Sequence, residues 1–178
     1  MEIEILNAIQ HWRTPVLDRI MLLATHLGDG GALWLVAALV LLLLPKTRRI
    51  GFAVSVSLLL EVLCCNVIMK PLVGRIRPCD VNQAVTLLVP RPLDYSFPSG
   101  HTGASFAAVS ALYFGKKKLW IPCLALACLI AFSRLYLYVH FPTDVLAGAA
   151  LGILTGWAGE RTTKAVCIRC SGGRAADA

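Results

Sequence analysis

Charged residues are scarce in this 178-residue chain. Only 15% of its residues are Asp, Glu, Lys or Arg, whereas 57% are hydrophobic, and the mean hydropathy is +0.71. Because a soluble domain carries about 25% charged residues, the composition excludes an ordinary soluble protein and indicates an integral membrane protein. The net charge of +7 does not indicate nucleic-acid binding, since the basic residues form small clusters between apolar runs.

A positively charged leader and a metal-binding cysteine pattern are also missing. The chain begins MEIEILNAIQHWRTP, with acidic residues first, so no signal peptide is predicted. The cysteine count is seven, and an odd number argues against a full disulfide framework. Cys167 and Cys170 form a single CxxC pair without a second pair or following histidines, so we predict no metal site and no cofactor there.

Long apolar runs are abundant, and they fall at residues 30–44, 50–69, 98–115, 119–133 and 141–159. They predict an all-α fold, a polytopic membrane bundle of five to six transmembrane helices. A run of about 15 residues spans roughly 22 Å as a helix, less than a hydrocarbon core about 30 Å thick. Flanking Lys and Arg side chains are therefore expected to snorkel outwards.

Three segments are expected along the chain. Residues 1–30 mix apolar and charged side chains and predict an N-terminal amphipathic helix, broken near Pro15, at the membrane interface. This segment alternatively forms a short sixth span. Residues 31–160 are the predicted transmembrane core, and residues 161–178 are a basic tail.

The basic residues predict an orientation in the plasma membrane. Residues 45–49 and 115–118 and the tail, with Arg161, Lys164, Arg169 and Arg174, are expected in the cytoplasm. Connections 70–97 and 134–140 then lie on the extracytoplasmic side. Five spans place the N-terminus outside, and six place it inside.

The residues capable of chemistry gather on that predicted outer face. Three helix ends meet there, and the local carboxylates Asp80, Asp94 and Asp144 are too few to neutralise the cations, so a bound phosphate is predicted. The candidate residues are Lys70, Arg77, Ser99, Gly100, His101, Arg134, His140 and Asp144.

Each residue type suits phosphoryl transfer. Arg77 and Arg134 can make forked contacts with phosphate oxygens, and Lys70 adds a point charge. Ser99 and Gly100 open a predicted helix whose free N–H groups form an anion site. Asp144 is predicted to orient His140 for attack on phosphorus, while His101 protonates the leaving oxygen. This set requires no metal.

Three other charged residues receive simpler interpretations. Arg75 and Arg91 are read as membrane anchors at helix ends. Glu61 lies roughly 13 Å of helix from Lys70, so it is predicted to be too deep for the site and to serve packing or orientation.

The motifs resemble the type 2 phosphatidic acid phosphatase superfamily across residues 50–159. Its three signatures, K-x6-R-P, P-S-G-H and S-R-x5-H-x3-D, match Lys70–Pro78, Pro98–His101 and Ser133–Asp144 without departure. The resemblance implies an all-helical membrane fold, a phosphohistidine intermediate at His140, His101 as acid and then base, and no metal.

Several functions remain open at this stage. The favoured one is hydrolysis of a lipid phosphate or pyrophosphate at the outer membrane face, with undecaprenyl pyrophosphate as the preferred substrate. Alternative substrates are phosphatidylglycerophosphate, phosphatidic acid and diacylglycerol pyrophosphate. A lipid phosphotransferase and a non-catalytic lipid binder are the other candidates. Expected partners are the lipid substrate and membrane lipids, and the sequence predicts no oligomeric state.

Overall fold

Every regular element of the described chain is helical. The structure, a computed structural model, describes the backbone of residues 1–176 and the side chains of residues 1–168. Cys170, Arg169 and Arg174 lie outside the described side chains. The helices are α1 Glu2–Gln10, α2 Pro15–Gly28, α3 Ala32–Leu43, α4 Arg48–Val62, α5 Lys70–Val73, α6 Pro78–Val81, α7 Gly100–Phe114, α8 Trp120–Tyr136 and α9 Pro142–Ala176.

This architecture confirms the all-α prediction, and its length and composition suit a membrane. Two helical stretches, Pro15–Leu43 and Arg48–Val81, are long and apolar enough to cross a bilayer, and Trp120–Tyr136 is a shorter apolar helix. Of the helices that follow residue 31, α3, α4, α7, α8 and α9 overlap the five apolar runs, whereas α5 and α6 lie in the connection 70–97. Helix α9 continues past residue 160 without a break, so the predicted boundary between core and tail is not marked by a helix end.

Small residues let α9 pack tightly against α7 and α4. A Cβ atom at Gly148 would lie 2.5 Å from the carbonyl oxygen of Ser99, and one at Gly152 would lie 2.4 Å from that of Gly103. A Cβ atom at Gly159 would lie 2.2 Å from Oγ of Ser57. Close backbone approach of this kind holds helices together in lipid, where apolar burial alone provides little drive.

The N-terminal helices lie over the end of α8. Thr14 caps α2 by accepting a hydrogen bond from the backbone N–H of Leu17, and Pro15 occupies the first turn, where its missing N–H costs nothing. Asp18 accepts from the Tyr136 hydroxyl, whereas Thr25 contacts Arg134. A Cβ atom at Gly28 would lie 2.9 Å from Cγ2 of Ile130, so α2 runs beside the C-terminal part of α8 in the opposite direction.

The two ends of the bundle differ in character. At one end, Arg49 and Lys164 pair with the buried carboxylate of Glu160, at 2.7 and 3.0 Å. A Cβ atom at Gly115 would lie 2.2 Å from Ile50, so both predicted basic loops lie at this end. The predicted phosphate-binding residues lie at the opposite end.

A π-helical segment, Leu63–Met69, joins α4 to α5 directly below Lys70. Segments of this kind are rare and occur frequently at functional sites. The wider turn brings Cys65 to 3.7 Å from the carbonyl oxygen of Pro98, and therefore brings this helix close to the start of α7.

Candidate active site

One cavity of about 660 Å³ collects most of the predicted site residues. Its wall includes Lys70, Arg77, Gly100, His101, Arg134 and His140. Ser99 and Asp144 are buried beside this wall but do not line the cavity. Three chain segments that are distant in sequence thus converge, as the spacing of the motifs predicted.

Two of the predicted phosphate-binding cations are already paired with one carboxylate. Asp94 binds Lys70 and accepts a 2.7 Å hydrogen bond from Nη2 of Arg77. Partial burial alone would raise the pKa of Asp94, but the hydrogen bond from Lys70 and the Arg77 charge lower it to about 2. Asp94 is therefore ionised at any working pH, and it occupies part of the cationic surface.

Arg134 is the cation left without a carboxylate. Its side chain is buried, and one guanidinium nitrogen donates to the hydroxyl of Thr25. Its Nε atom has no hydrogen-bond partner, and within residues 1–168 no carboxylate pairs with it. A buried cation is costly unless an anion offsets it, so the cavity wall at Arg134 calls for a bound anion.

Arg77 fixes the protonation of the His140 ring. Nη1 of Arg77 lies 3.2 Å from Nε2 of His140, and the same nitrogen donates to the carbonyl oxygen of Val139 at 2.7 Å. Because arginine can only donate, Nε2 must be the unprotonated nitrogen. Burial, together with the charges of Arg77 and Arg134, lowers the pKa of His140. The ring is therefore neutral, and its Nε2 lone pair accepts a hydrogen bond from Arg77.

Asp144 faces the other nitrogen of His140, but at a longer distance than predicted. Oδ2 of Asp144 lies 3.6 Å from Nδ1, which is beyond hydrogen-bond range. That oxygen instead accepts from the Ser96 hydroxyl at 2.5 Å and from the backbone N–H of Phe141 at 2.9 Å. Asp144 is thus rigidly held next to His140, and a shift of a few tenths of an ångström would complete the predicted contact.

Arg75 does not behave as the predicted membrane anchor. Nη1 donates to Oδ1 of Asp144 at 2.6 Å, and Nη2 donates to Glu2 at 2.5 Å. The guanidinium group also lies 4.0 Å from the ring centroid of Phe141. The anchor interpretation fails because α1 and the start of α9 surround this side chain. Arg91, read in the same way, instead pairs with Asp80 at 2.7 Å near the protein surface.

Of the two residues predicted to form an anion site with free N–H groups, only Gly100 lines the cavity. Ser99 is the residue before α7, and its N–H group is not free, because it donates to the carbonyl oxygen of Asp144 at 3.0 Å. Its hydroxyl accepts from Thr102 at 3.0 Å. Gly100 does line the cavity, and a Cβ atom there would lie 3.4 Å from Oδ1 of Asn66. The first turn of α7 thus exposes its backbone to the cavity at Gly100.

Glu61 is nearer to the site than the distance along its helix suggested. It is buried, lines the same cavity, and its Oε1 atom has no hydrogen-bond partner. A Cβ atom at Gly103 would lie 2.1 Å from that oxygen. Since Gly103 follows His101 by two residues, Glu61 lies within about one half-turn of the site. The prediction that it is too deep was wrong because it ignored the contact between α4 and α7.

His101 has a partner that the motif does not contain. Its Nε2 atom lies 2.9 Å from Oδ1 of Asp29, in the turn between α2 and α3. Asp29 belongs to the GDGG segment, which the sequence marks only as a helix end. Neither spacing nor charge pattern connects positions 29 and 101, so sequence reasoning had no signal for this pair.

Comparison with protein-family models matches residues 49–166 to the PAP2 superfamily. The chain belongs to that superfamily. It is 32% identical over 151 residues to an undecaprenyl-diphosphatase of Sulfolobus acidocaldarius, with 84% of this chain and 72% of the relative covered. It is 34% identical over 162 residues to a decaprenylphosphoryl-5-phosphoribose phosphatase of Mycobacterium tuberculosis, covering 87% and 86%.

The fold agrees with a solved structure of the superfamily. A transmembrane PAP2-type phosphatidylglycerolphosphate phosphatase from Bacillus subtilis superposes with a TM-score of 0.75 at 27% identity, covering 93% of this chain and 85% of that one. The chain is thus a PAP2 phosphatase, a membrane hydrolase of lipid phosphates. The family match contains all three signatures but leaves α1, α2, Asp29 and α3 outside it.

Proposed function

We propose that this PAP2 phosphatase hydrolyses its lipid phosphate through a covalent phosphohistidine at His140, without metal. The observation that carries the proposal is Arg134, a buried cation without a carboxylate partner in the described structure, on a cavity wall shared with His101 and His140. A phosphate seated there would offset the Arg134 charge and lie beside the unprotonated Nε2 atom of His140, which would exchange its hydrogen bond from Arg77 for the phosphorus atom.

The geometry supports a two-step reaction. Nε2 of His140 attacks the terminal phosphorus, and the bond from that phosphorus to the leaving oxygen breaks while His101 donates a proton to that oxygen. The leaving oxygen is the bridging oxygen in a lipid pyrophosphate, which leaves as the lipid monophosphate, and the ester oxygen in a lipid monophosphate, which leaves as the alcohol. Asp144 stabilises the positive charge that develops on the His140 ring. Lys70 and Arg77 and Arg134 stabilise the transferred phosphoryl group. His101 then removes a proton from water, which attacks phosphorus and releases phosphate and His140.

We infer five spans, with the N-terminus and the site on the extracytoplasmic side of the plasma membrane. Polar contacts from both ends of the N-terminal segment support this arrangement: Glu2 reaches Arg75, and Asp29 reaches His101 at the site end. Residues 1–30 then form an interfacial cap on the 31–160 core. The basic loops at the opposite end, and the tail from residue 161, lie in the cytoplasm by the positive-inside rule.

The proposed substrate is undecaprenyl pyrophosphate. Support comes from the relative named as an undecaprenyl-diphosphatase and from the apolar part of the cavity, where Leu35, Leu58, Leu59 and Val62 offer a surface for a hydrocarbon chain. The alternative substrates are phosphatidylglycerophosphate, phosphatidic acid and diacylglycerol pyrophosphate.

Phosphate release by the purified protein tests the proposal. The panel contains those four lipids, each assayed with EDTA and again with added Mg²⁺ or vanadate. The expected result is turnover in EDTA, inhibition by vanadate, loss of activity in His140→Ala, and the highest kcat/KM for undecaprenyl pyrophosphate. Loss of activity in EDTA that Mg²⁺ restores contradicts the mechanism, and preference for a glycerolipid contradicts the substrate.

A further inference from the structure

The turn between α2 and α3 supplies a carboxylate to the second site histidine. Oδ1 of Asp29 lies 2.9 Å from Nε2 of His101, and Oδ2 lies 2.9 Å from Nδ1 of His26. All three side chains line the site cavity. We propose that Asp29 is a positioning residue for His101, an inference that rests on the acid–base role proposed above for this histidine.

The backbone around Asp29 is shaped for this contact. Gly28 ends α2 directly against the histidine: a Cβ atom there would lie 2.8 Å from Cδ2 of His101 and 2.9 Å from Cγ2 of Ile130. Gly30 and Gly31 then adopt φ values of 57° and 69°, which L side chains rarely accept. The turn can therefore pass next to His101 only because glycines surround Asp29.

The hydrogen bond defines how the ring of His101 is used. A carboxylate that accepts from Nε2–H leaves Nδ1 as the nitrogen that exchanges a proton with the substrate, and Nδ1 has no hydrogen-bond partner within the described side chains. His140 is held in a comparable way, because Nε2 accepts from Arg77 and Nδ1 faces Asp144. Each site histidine thus has its own carboxylate.

The charges around His101 make this carboxylate important. Burial of the ring disfavours its protonated form most, and the charges of Arg134 and Lys70, which line the same cavity, add to this effect, whereas Asp29 favours the protonated form. His26 adds a titratable group on the far side of Asp29. Although partial burial opposes it, the hydrogen bonds from His26 and His101 lower the pKa of Asp29. Asp29 is the carboxylate that offsets two cations when His101 must carry a proton.

The test compares Asp29→Asn with Asp29→Glu and with Asp18→Asn. Asp18 is a matched control, because it is also a carboxylate of the α2 region, but it does not line the site cavity and instead pairs with Arg13 at 3.4 Å and accepts from Tyr136 at 2.6 Å. Two substrates are needed: a lipid alkyl phosphate, whose alkoxide leaves badly without a proton, and p-nitrophenyl phosphate, whose phenolate leaves readily.

The expected result is selective. Asp29→Asn lowers kcat on the alkyl phosphate by about 10²-fold, the lower limit of general-acid assistance, and shifts the alkaline limb of its pH–rate profile to lower pH. First-turnover release of nitrophenolate changes little, and Asp29→Glu restores part of the lost rate. Asp18→Asn leaves the profile in place.

Two outcomes overturn the inference. An equal loss on both substrates, with an unshifted pH profile and a matching loss in Asp18→Asn, makes Asp29 a structural contact of the turn. Higher activity in Asp29→Asn makes it an inhibitory contact that substrate displaces. Failure of the proposed function is recognised separately, because then even the wild-type protein forms no phosphoenzyme with p-nitrophenyl phosphate.

Discussion

Replacing Arg75 by methionine isolates the contribution of a residue that the motifs do not include. Methionine keeps an unbranched apolar side chain against the Phe141 ring, where the guanidinium group lies 4.0 Å from the centroid. It removes the donors to Asp144 at 2.6 Å and to Glu2 at 2.5 Å. The change therefore leaves packing largely intact and withdraws the cation that balances Asp144.

The cost follows from the burial of the two partners. Asp144 is 0% exposed and Arg75 is 27% exposed. Breaking a fully buried ion pair costs about 3–5 kcal/mol, and solvent access to Arg75 reduces this to about 2–3 kcal/mol. For a chain of this size each kcal/mol lowers the unfolding temperature by about 2–4 °C, so a decrease of about 4–12 °C is expected.

The assay is thermal unfolding in detergent together with steady-state phosphate release. Ser96 and the Phe141 N–H group still hold Oδ2 of Asp144 in the variant, so activity should fall by about tenfold or more without vanishing. Arg91→Met is the matched control: its pair with Asp80 has exposures of 42% and 34%, and such surface pairs contribute about 0–1 kcal/mol. Equal unfolding temperatures in the two variants would refute the assignment of Arg75 to the Asp144 network.

Three further predictions follow from the site and from the orientation. With p-nitrophenyl phosphate, His101→Ala should release a burst of nitrophenolate and then stall as phosphoenzyme, whereas His140→Ala should give no burst in stopped-flow traces. In intact cells an impermeant thiol reagent should label Ala84→Cys and not Lys118→Cys, both at exposed positions, and the reverse pattern would invert the topology. Glu61→Gln should leave the unfolding temperature unchanged or raise it, because Oε1 has no partner, and should raise KM for a lipid substrate more than for p-nitrophenyl phosphate.

The sequence was sufficient to predict the site cations and histidines, because residues of these types are unusual in an apolar chain. Lys70 and Arg77 follow one apolar run, His101 begins another and His140 precedes a third. The alternation of basic and other connections places these three positions on the same side of the membrane. Because phosphate chemistry requires cations and histidines, which are otherwise costly in such a chain, their convergence could be predicted before any coordinates.

The residues that the sequence missed all depend on helix crossing. Glu61 reaches the cavity because α4 meets α7 at Gly103, and Asp29 reaches it because α2 ends at Gly28 directly against His101. Arg75 joins the site because α1 places Glu2, 73 positions earlier in the chain, next to its guanidinium group. Apolar periodicity determines that a helix forms, but it contains no information about the angle at which two helices cross, so these contacts could not be read from it.

The balance of charge in the site explains why one arginine matters most. Asp94 pairs with Lys70 and Arg77, and Asp144 pairs with Arg75, so Arg134 is the buried site cation that remains without a carboxylate among the described residues. A phosphate that enters the cavity can pair with Arg134 without displacing a carboxylate. To pair with Lys70 and Arg77, it must displace the carboxylate of Asp94. Asp94 is 53% exposed, so water can solvate its carboxylate when the phosphate displaces it. The pKa of Asp94 is about 2, so protonation of Asp94 at working pH does not release Lys70 and Arg77. In the mechanism that we propose, binding of the substrate phosphate therefore opens the Asp94 pairs, with Arg134 as the first point of attachment.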